Sequence, residues 1–402
     1  MDADTSQLAA RGERVARALA KRLETPANLR VVLSPYRVCP LGAHIDHQHG
    51  PVLGTAIDVG TALAFAPQES PEVVLHSDDF AGSLRFRIDD EAPGEGWERY
   101  ARAAVRVLAE RLPQPPRGFV GQLSGHLPGG GLSSSASVLV GYLLALAHVN
   151  DIALAPSELV RLAVRAENEF VGVRCGVLDP AAIVGSEAGR LLEIDTRAVR
   201  WRPLSADANA DAVRFLIVFS GQSRVLSSTP FNARVAECRS AAARIADRHG
   251  HAPASRLGDL PEDLLEAGID ALPDGERGRA RHFLEERRRV RAGVQAWTRG
   301  DFRAFGELMW DSCRSSIENY ETGSDEQERL QQILRETPGV VGARFSGAGY
   351  GGCNVALVEA ATAAAAAHEV LARYRAAVPA LAAAARTLLV QPADGARVVL
   401  PG

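Results

Sequence analysis

The alternation of apolar and polar positions divides the chain into helical and extended stretches. Residues 6–24 are polar on one side and apolar on the other, which predicts an amphipathic helix. Leu29–Leu33 is a short, mostly apolar strand, and a polar loop from Ser34 to Gly50 is expected after it. Strands follow at Val52–Phe65, Glu72–His76 and Ser83–Ile88. Trp97–Leu112 is helical until Pro113 stops it. Gly118–Leu127 predicts a strand that runs into a glycine-serine loop. Ser134–Val149 is a long apolar helix, and Pro156–Glu169 is another. A strand-turn pattern near Leu191–Ile194 closes this half.

The polar, alanine-rich run Ser205–Ala212 is the expected linker, dividing the chain at 1–205 and 206–402. A strand at Val213–Phe219 opens the second half, and Val235–Leu308 is mostly helical. The charge run Glu285–Arg291 within it is expected to be a solvated helix face. A strand at Val340–Ser346, a glycine loop, a strand at Asn354–Glu359, an alanine-rich helix from Ala360 and a strand near Thr387–Gln391 complete the pattern. The fold class is α+β in two halves, without internal repeats.

Composition narrows the function. The 402 residues are 46% hydrophobic and 23% charged, as in globular proteins. A net charge of -4 argues against nucleic acid as a partner. No apolar run approaches the roughly 20 residues that span a bilayer, and the charged N-terminus is not a secretory signal. The five cysteines are scattered and form no CxxC pair, so neither a disulfide framework nor a zinc site is indicated, and a cytoplasmic setting is the simplest expectation. Lys21 is the only lysine, and the predicted helix places it on a solvated face. A mechanism needing a lysine on phosphates therefore has no other candidate.

The segment LPGGGLSSSAS at 127–137 lies between a predicted strand and a predicted helix. Gly129, Gly130 and Gly131 allow the backbone to adopt positive φ and approach a ligand closely. After Leu132, the serines Ser133, Ser134 and Ser135 open the helix, where hydroxyls cap free N–H groups and the positive end of the helix dipole faces out. Such a loop suits phosphates; the plainer alternative is a glycine turn with a serine cap. It is not a P-loop, which needs a lysine. A GxGxxG spacing also occurs at Gly347, Gly349 and Gly352, but CNVALVEA after it alternates like a strand, against dinucleotide binding.

Three segments together resemble the GHMP kinases, the superfamily of galactokinase, homoserine kinase and mevalonate kinase: SPYRVCPLGAHIDHQHG at 34–50, LPGGGLSSSAS, and SGAGYGGC at 346–353. The galactokinase branch is further matched by ENEFVGVRCGVLD at 167–179 and by the ending QPADGARVV. The resemblance implies a two-domain fold with mixed sheets, flanking helices and an active site between the domains. It implies ATP and Mg²⁺ as cofactors and a small-molecule sugar as substrate.

Residue by residue, the resemblance implies that Asp179 faces the anomeric hydroxyl with Arg37 beside it. Ser135 and Glu167 then bind magnesium, and His44, Asp46 and Gly176 grip the sugar. Phe231 lies about where galactokinases place a sugar-contacting tyrosine. Trp97 stacks near adenine or, alternatively, packs in the core. These roles are chemically coherent: phosphoryl transfer needs an oriented nucleophile and charge neutralisation, Asp179 can deprotonate the hydroxyl, and Arg37 is a fixed cation. Mg²⁺ takes oxygen ligands. The alternatives are a purely structural Arg37–Asp179 pair, Glu167 as an exposed helix residue, and His44 and Asp46 as ordinary loop residues. Mevalonate kinases place a lysine near the base, and this chain has none available.

One departure bears on the substrate. Ala43 stands where galactokinases carry a glutamate that accepts a hydrogen bond from the sugar's 6-hydroxyl. Two carboxylates about 4 Å apart repel by roughly 4 kcal/mol at an effective dielectric near 20, so a site for a sugar with a C6 carboxylate cannot keep that glutamate. The loop PYRVCPLGAHIDHQ resembles that of galacturonokinases, and galacturonate is the expected substrate, ahead of galactose or another sugar. Tyr36, His47, His49 and an arginine of the second half are candidates for binding the carboxylate. Two other classes compete: a catalytically silent sugar-and-ATP sensor, and a kinase of a non-sugar alcohol. The intact Asp179 and glycine-serine loop oppose the first, and the His44-x-Asp46 pair and missing lysine oppose the second.

Overall fold

The computed structural model describes residues 7–23, 28–127, 129–207, 210–222 and 230–401. Strands of the first half are β1 (Arg30–Leu41), β2 (Val52–Gln68), β3 (Glu72–Ser77), β4 (Ser83–Arg87), β5 (Gly118–Gly125), β6 (Leu191–Asp195) and β7 (Arg200–Leu204). Those of the second half are β8 (Val213–Phe219), β9 (Val340–Phe345), β10 (Cys353–Glu359), β11 (Arg386–Val390) and β12 (Arg397–Val399). Helices α1 (Gln7–Leu23), α2 (Glu98–Leu108), α3 (Ser134–Val149), α4 (Pro156–Arg165) and α5 (Leu178–Gly185) belong to the first half. Helices α6 (Phe231–Arg248), α7 (Glu262–Gly268), α8 (Asp274–Thr298), α9 (Phe302–Glu318), α10 (Asp325–Glu336) and α11 (Ala363–Ala377) belong to the second.

Among these residues the strands form two sheets. The larger runs β12-β1-β2-β5-β3-β4, with β6 paired to β2 and β7 to β6; the smaller runs β11-β8-β10-β9. All pairings are antiparallel except β3 with β5. The fold is thus α+β with mixed and antiparallel sheets. The chain end returns to the first sheet, where Val398 of β12 pairs with Val32 of β1. One core cluster packs Tyr36, Leu41 and Leu53 of the first sheet with Phe215 and Cys353 of the second and Trp297 and Met309 of α8 and α9. No helix among the described residues is long and apolar enough to cross a membrane. The expected linker 205–212 includes residues 208 and 209, which lie outside the described residues.

Three expectations are corrected. The loop expected from Ser34 is strand as far as Leu41, with Pro35 and Pro40 inside it. Proline normally demotes a strand because it cannot donate to the ladder. Here the register of β1 against β2 shifts between Pro35 and Tyr36 and again between Val38 and Leu41, so each proline falls at an irregularity. The helix expected to reach Glu169 ends at Arg165, and Ala166–Val171 form a π-helical turn closed by Gly172 at φ 88°. The charge run 285–291 is not simply a solvated face. Glu286 is fully buried, Arg287 is buried, and only Arg288 and Arg291 are well exposed. The carboxylate of Glu286 receives Arg289 Nε at 2.6 Å, the Ser312 hydroxyl at 2.6 Å and the Gly42 N–H at 2.7 Å. Periodicity could not reveal this, because apart from Arg289 the partners come from α9, from the loop after β1 and, through Arg344 at 3.6 Å, from β9.

Candidate active site

A cavity of about 710 Å³ opens between the halves. Its floor is organised by Arg37 on β1, a buried guanidinium whose Nε donates to Asp179 Oδ1 at 2.7 Å. Arg37 Nη1 also reaches Ser346 Oγ at 3.3 Å and the Gly131 carbonyl at 3.5 Å. One arginine of the first motif thus touches residues of the other two and the candidate base. Burial works against its charge and Asp179 restores it, leaving its pKa above the ordinary value. Asp179 lies in the first turn of α5, a helix the sequence pattern missed.

The glycine-serine loop approaches from the other side. Gly129 and Gly131 have φ of 72° and 80°, and Ser133 itself is left-handed at 61°. Ser133 occupies the N-cap of α3 but makes no capping bond; its hydroxyl donates to Asp179 Oδ2 instead. This corrects the expected serine cap. The first N–H groups of a helix have no intrahelical acceptor, so an uncapped start suits an anion. Ser134 Oγ accepts the Gly129 N–H at 3.0 Å, closing the loop on itself. The third motif packs directly on it: a Cβ at Gly352 would lie 2.7 Å from the Gly130 carbonyl oxygen, and one at Gly347 2.9 Å from that of Gly131. Gly130 and Leu132 do not line the cavity; Leu132 is buried in the shared core.

Ser135 lines the cavity together with Glu167. Glu167 is buried, not exposed as an ordinary helix residue would be, and the π-helical turn carries it there. Burial pushes its carboxyl above the usual range, against hydrogen bonds from Cys175 Sγ at 3.0 Å and from Ser135. Trp97, at the N-cap of α2, stacks on Phe80 with centroids 5.7 Å apart at the cavity edge. It also packs partly against the first-half core, which is the alternative placement expected for it.

The loop after β1, which the resemblance makes the sugar loop, forms the remaining wall with Ala43, His44 and Asp46. His44 has φ of 64° and stacks on Tyr320 at 4.5 Å. Its Nε2 is buried without a hydrogen-bond partner among the described residues. Burial, then His282, Arg344 and His47, hold the ring well below the ordinary histidine pKa. Asp46 Oδ2 accepts the Leu178 N–H at 3.3 Å. Burial and then Asp179 push its carboxyl up to about 6. Gly176 is required beside it, since a Cβ there would be 2.2 Å from Asp46 Oδ2. Phe231 opens α6 and lines the same cavity.

Of the residues considered for a C6 carboxylate, Tyr36 lines the cavity, whereas His47 and His49 do not. His47 is held by Tyr320 at 3.0 Å and Gln48 at 2.9 Å, and His49 by Asp259 at 2.8 Å. No arginine of the second half lines the cavity among the described residues; segment 223–229, before Phe231, lies outside them. Sequence reasoning missed the supports of this wall. His282 Nε2 meets the Ala43 carbonyl at 3.0 Å, and Glu286, Arg344 and Tyr320 are all fully buried. For His282, Glu286 and Arg344 the only sequence signal is an ionisable side chain inside an otherwise amphipathic helix or strand, and Tyr320, in the turn after α9, gives none.

A cavity joining a phosphate-type loop, an arginine-paired carboxylate and a polar loop defines a phosphotransferase of the GHMP type. Residues 99–187 match the family description "GHMP kinases N terminal domain" and residues 292–376 match "GHMP kinases C terminal". The chain is 38% identical over 398 residues to the galacturonokinase of Arabidopsis thaliana, covering 92% of this chain and 94% of that one. It is 33% identical over 331 residues to a galactokinase of Roseiflexus, covering 82% and 83%. The crystal structure of Lactococcus lactis galactokinase complexed with galactose superposes with a TM-score of 0.86 at 28% identity, over 95% of this chain and 98% of that one. The chain belongs to the GHMP kinases, in their galactokinase branch.

Proposed function

We propose that the protein transfers the γ-phosphoryl group of ATP to the anomeric hydroxyl of D-galacturonate, giving galacturonate 1-phosphate and ADP. The observation that carries the sugar assignment is Ala43: it lines the cavity beside His44 and adds no acid to that wall. The 38% identity to a galacturonokinase supports the same reading. The galactokinase relatives favour galactose as the second reading.

In this reading Asp179 accepts the proton of the attacking hydroxyl, and Arg37, fixed at 2.7 Å, offsets the charge that develops beside it. Asp46 accepts from sugar hydroxyls. His44 Nε2, buried and unpartnered, donates to the sugar, and in the neutral ring it can serve a carboxylate as well as a hydroxyl. Gly176 leaves room for Asp46, and Phe231 borders the sugar. The loop 129–135 cradles phosphates, and Trp97 with Phe80 offers a face to adenine.

Among the described residues no group of three or more His, Cys, Asp or Glu can hold a metal ion. Glu167 and Ser135 nevertheless fit Mg²⁺, which keeps waters and takes phosphate oxygens beside one or two protein ligands. The raised, buried carboxyl of Glu167 is what such a site displays before a cation compensates it. Mg²⁺ would neutralise phosphate charge there. The two kinase domains would then be residues 1–205 and 206–402, the last strand crossing back.

The test is ADP release at fixed Mg·ATP with galacturonate, glucuronate, galactose and arabinose. Galacturonate is expected to give the highest kcat/KM. A preference for galactose refutes the uronate assignment, and no turnover with any sugar refutes the kinase reading in favour of a sensor.

A further inference from the structure

A second cavity, of about 330 Å³, adjoins the first. Asp46, Cys175 and Gly176 belong to the walls of both. Three arginines reach it from separate places in the fold: Arg174 in the turn before α5, Arg239 on α6, and Arg256 just before the 3₁₀ turn Leu257–Asp259. The carboxylates nearby are committed elsewhere. Asp259 holds His49 at 2.8 Å and Arg197 at 3.4 Å, while Glu237 holds Arg234 at 3.0 Å and Arg279 at 2.7 Å. Among the described residues none of the three arginines has a carboxylate partner, in a chain that pairs many of its other arginines.

The surroundings favour an anion. Burial, then the charges of Arg256 and Arg174, hold the Arg239 guanidinium below its ordinary pKa. The ring of His47 is kept neutral, its pKa pushed down to about 3 by burial and then by Arg239. The one carboxylate on the wall is Asp46, whose Oδ2 is already engaged by the Leu178 N–H. Guanidinium forks match phosphate oxygens in pairs. The volume lies at the lower end of small-molecule sites and suits a monosaccharide-sized ligand.

We infer that this cavity binds the phosphate monoester of a small sugar-like metabolite, separately from the phosphotransfer site, and that its occupation weakens sugar binding next door. The sign follows from the shared wall. Asp46 lines both cavities and accepts sugar hydroxyls in the proposed function. An anion held in the second cavity places negative charge beside that carboxylate and disfavours the ionised form that the sugar needs. The phosphate-binding part stands apart from that proposal, because it can be measured without turnover.

The full chain is saturated with Mg²⁺ and a non-hydrolysable ATP analogue, so that the phosphate loop is filled. It is then titrated calorimetrically, at constant ionic strength, with inorganic phosphate and with a hexose 1-phosphate. One site is expected, tighter for the hexose 1-phosphate. The double variant R239A/R256A should bind at least about tenfold more weakly, while R303A, an exposed arginine on α9 away from the cavity, should bind as wild type. Thermal melts check that the variants are folded. In turnover assays the hexose 1-phosphate should raise the sugar KM of wild type, without lowering kcat, and leave the double variant's KM unmoved. Binding that survives in R239A/R256A, or no binding of either anion, overturns the site. Equal affinity for both anions overturns the monoester assignment in favour of the free ion. An unmoved KM overturns the coupling.

Discussion

The glycine-serine loop and the sugar loop face each other across Arg37 and Asp179, and they are built by opposite means. The first is made of backbone. Its positive φ values at Gly129 and Gly131 and the uncapped start of α3 arise within a few consecutive residues. The second is made of side chains held from a distance. Ala43 is anchored by His282, His44 lies on Tyr320, and Gly42 is tied to Glu286, each more than two hundred residues away in sequence. A backbone site tolerates any triphosphate that fits the loop. A side-chain site can discriminate one sugar from another, and its tuning is spread over the second half of the molecule.

The comparison is most strongly tested at position 43. In A43E the new carboxylate would oppose a C6 carboxylate by roughly 4 kcal/mol, about a thousandfold. With galactose it would accept from a neutral hydroxyl, a contact of about 1.5–3 kcal/mol. The galactose-to-galacturonate ratio of kcat/KM should therefore rise by several powers of ten, with the KM for ATP unchanged. A flat ratio in a wild type that prefers galacturonate would mean that residue 43 does not face C6. The structure adds that His44 and His282 are held neutral by burial, so neither ring offers the new glutamate a cation.

Asp179 belongs to both sides, touching Ser133 of one and Arg37 of the other. D179N should lower single-turnover phosphorylation by at least about a hundredfold, the usual contribution of a general base, and spare ATP binding. Retention of more than about a tenth of the wild-type rate would remove it from that role.

The same contrast explains what the sequence discloses. The glycine loop is legible because its conformation is demanded by consecutive glycines and a helix start. Asp179, Arg37 and Glu167 are legible only through motif resemblance; their convergence needs β1, the π-helical turn and α5 placed together. The extension of β1 was hidden by two prolines at register shifts, and the π-helical turn leaves no mark in an apolar pattern. Glu286 was hidden most completely. In RHFLEERRRVR it looks like any charge on a surface helix, and only Gly42, Ser312 and Arg344 make it internal.

Glu286 therefore offers a remote test. Burial alone would raise its carboxyl, but Arg289 first, with Arg344 and the Ser312 hydroxyl, brings it down to about 2. E286Q preserves shape but weakens the acceptor that holds the Gly42 N–H and leaves buried arginine charge less compensated. Losing a buried acceptor's partner costs about 1–3 kcal/mol, so the sugar KM should rise about tenfold or more while the KM for ATP stays put. Equal loss in both would show that the two loops are not separable.

The smallest expected effect is a pH dependence confined to the sugar side. Burial, then Asp179, raise the Asp46 carboxyl from 3.8 to about 6. A carboxyl whose pKa is higher in the folded chain than in the unfolded one binds its proton more tightly when folded. Its contribution to stability is therefore fully present below the unfolded pKa and is lost as pH rises through about 6. Thermal melts of the ligand-free protein should show this component declining between about pH 4 and about pH 6, by roughly a few degrees in a chain of this size. D46N keeps the shape without titrating, so the difference between its curve and that of wild type should isolate the group. Sugar adds the opposite slope. Hydroxyls donating to the ionised carboxylate favour that form, so the sugar should stabilise wild type more above pH 6 than below it, and D46N equally at both. The glycine-serine loop carries no ionisable side chain and contributes nothing to this difference. Parallel wild-type and D46N curves, with and without sugar, would mean that Asp46 is not the titrating acceptor of the sugar wall.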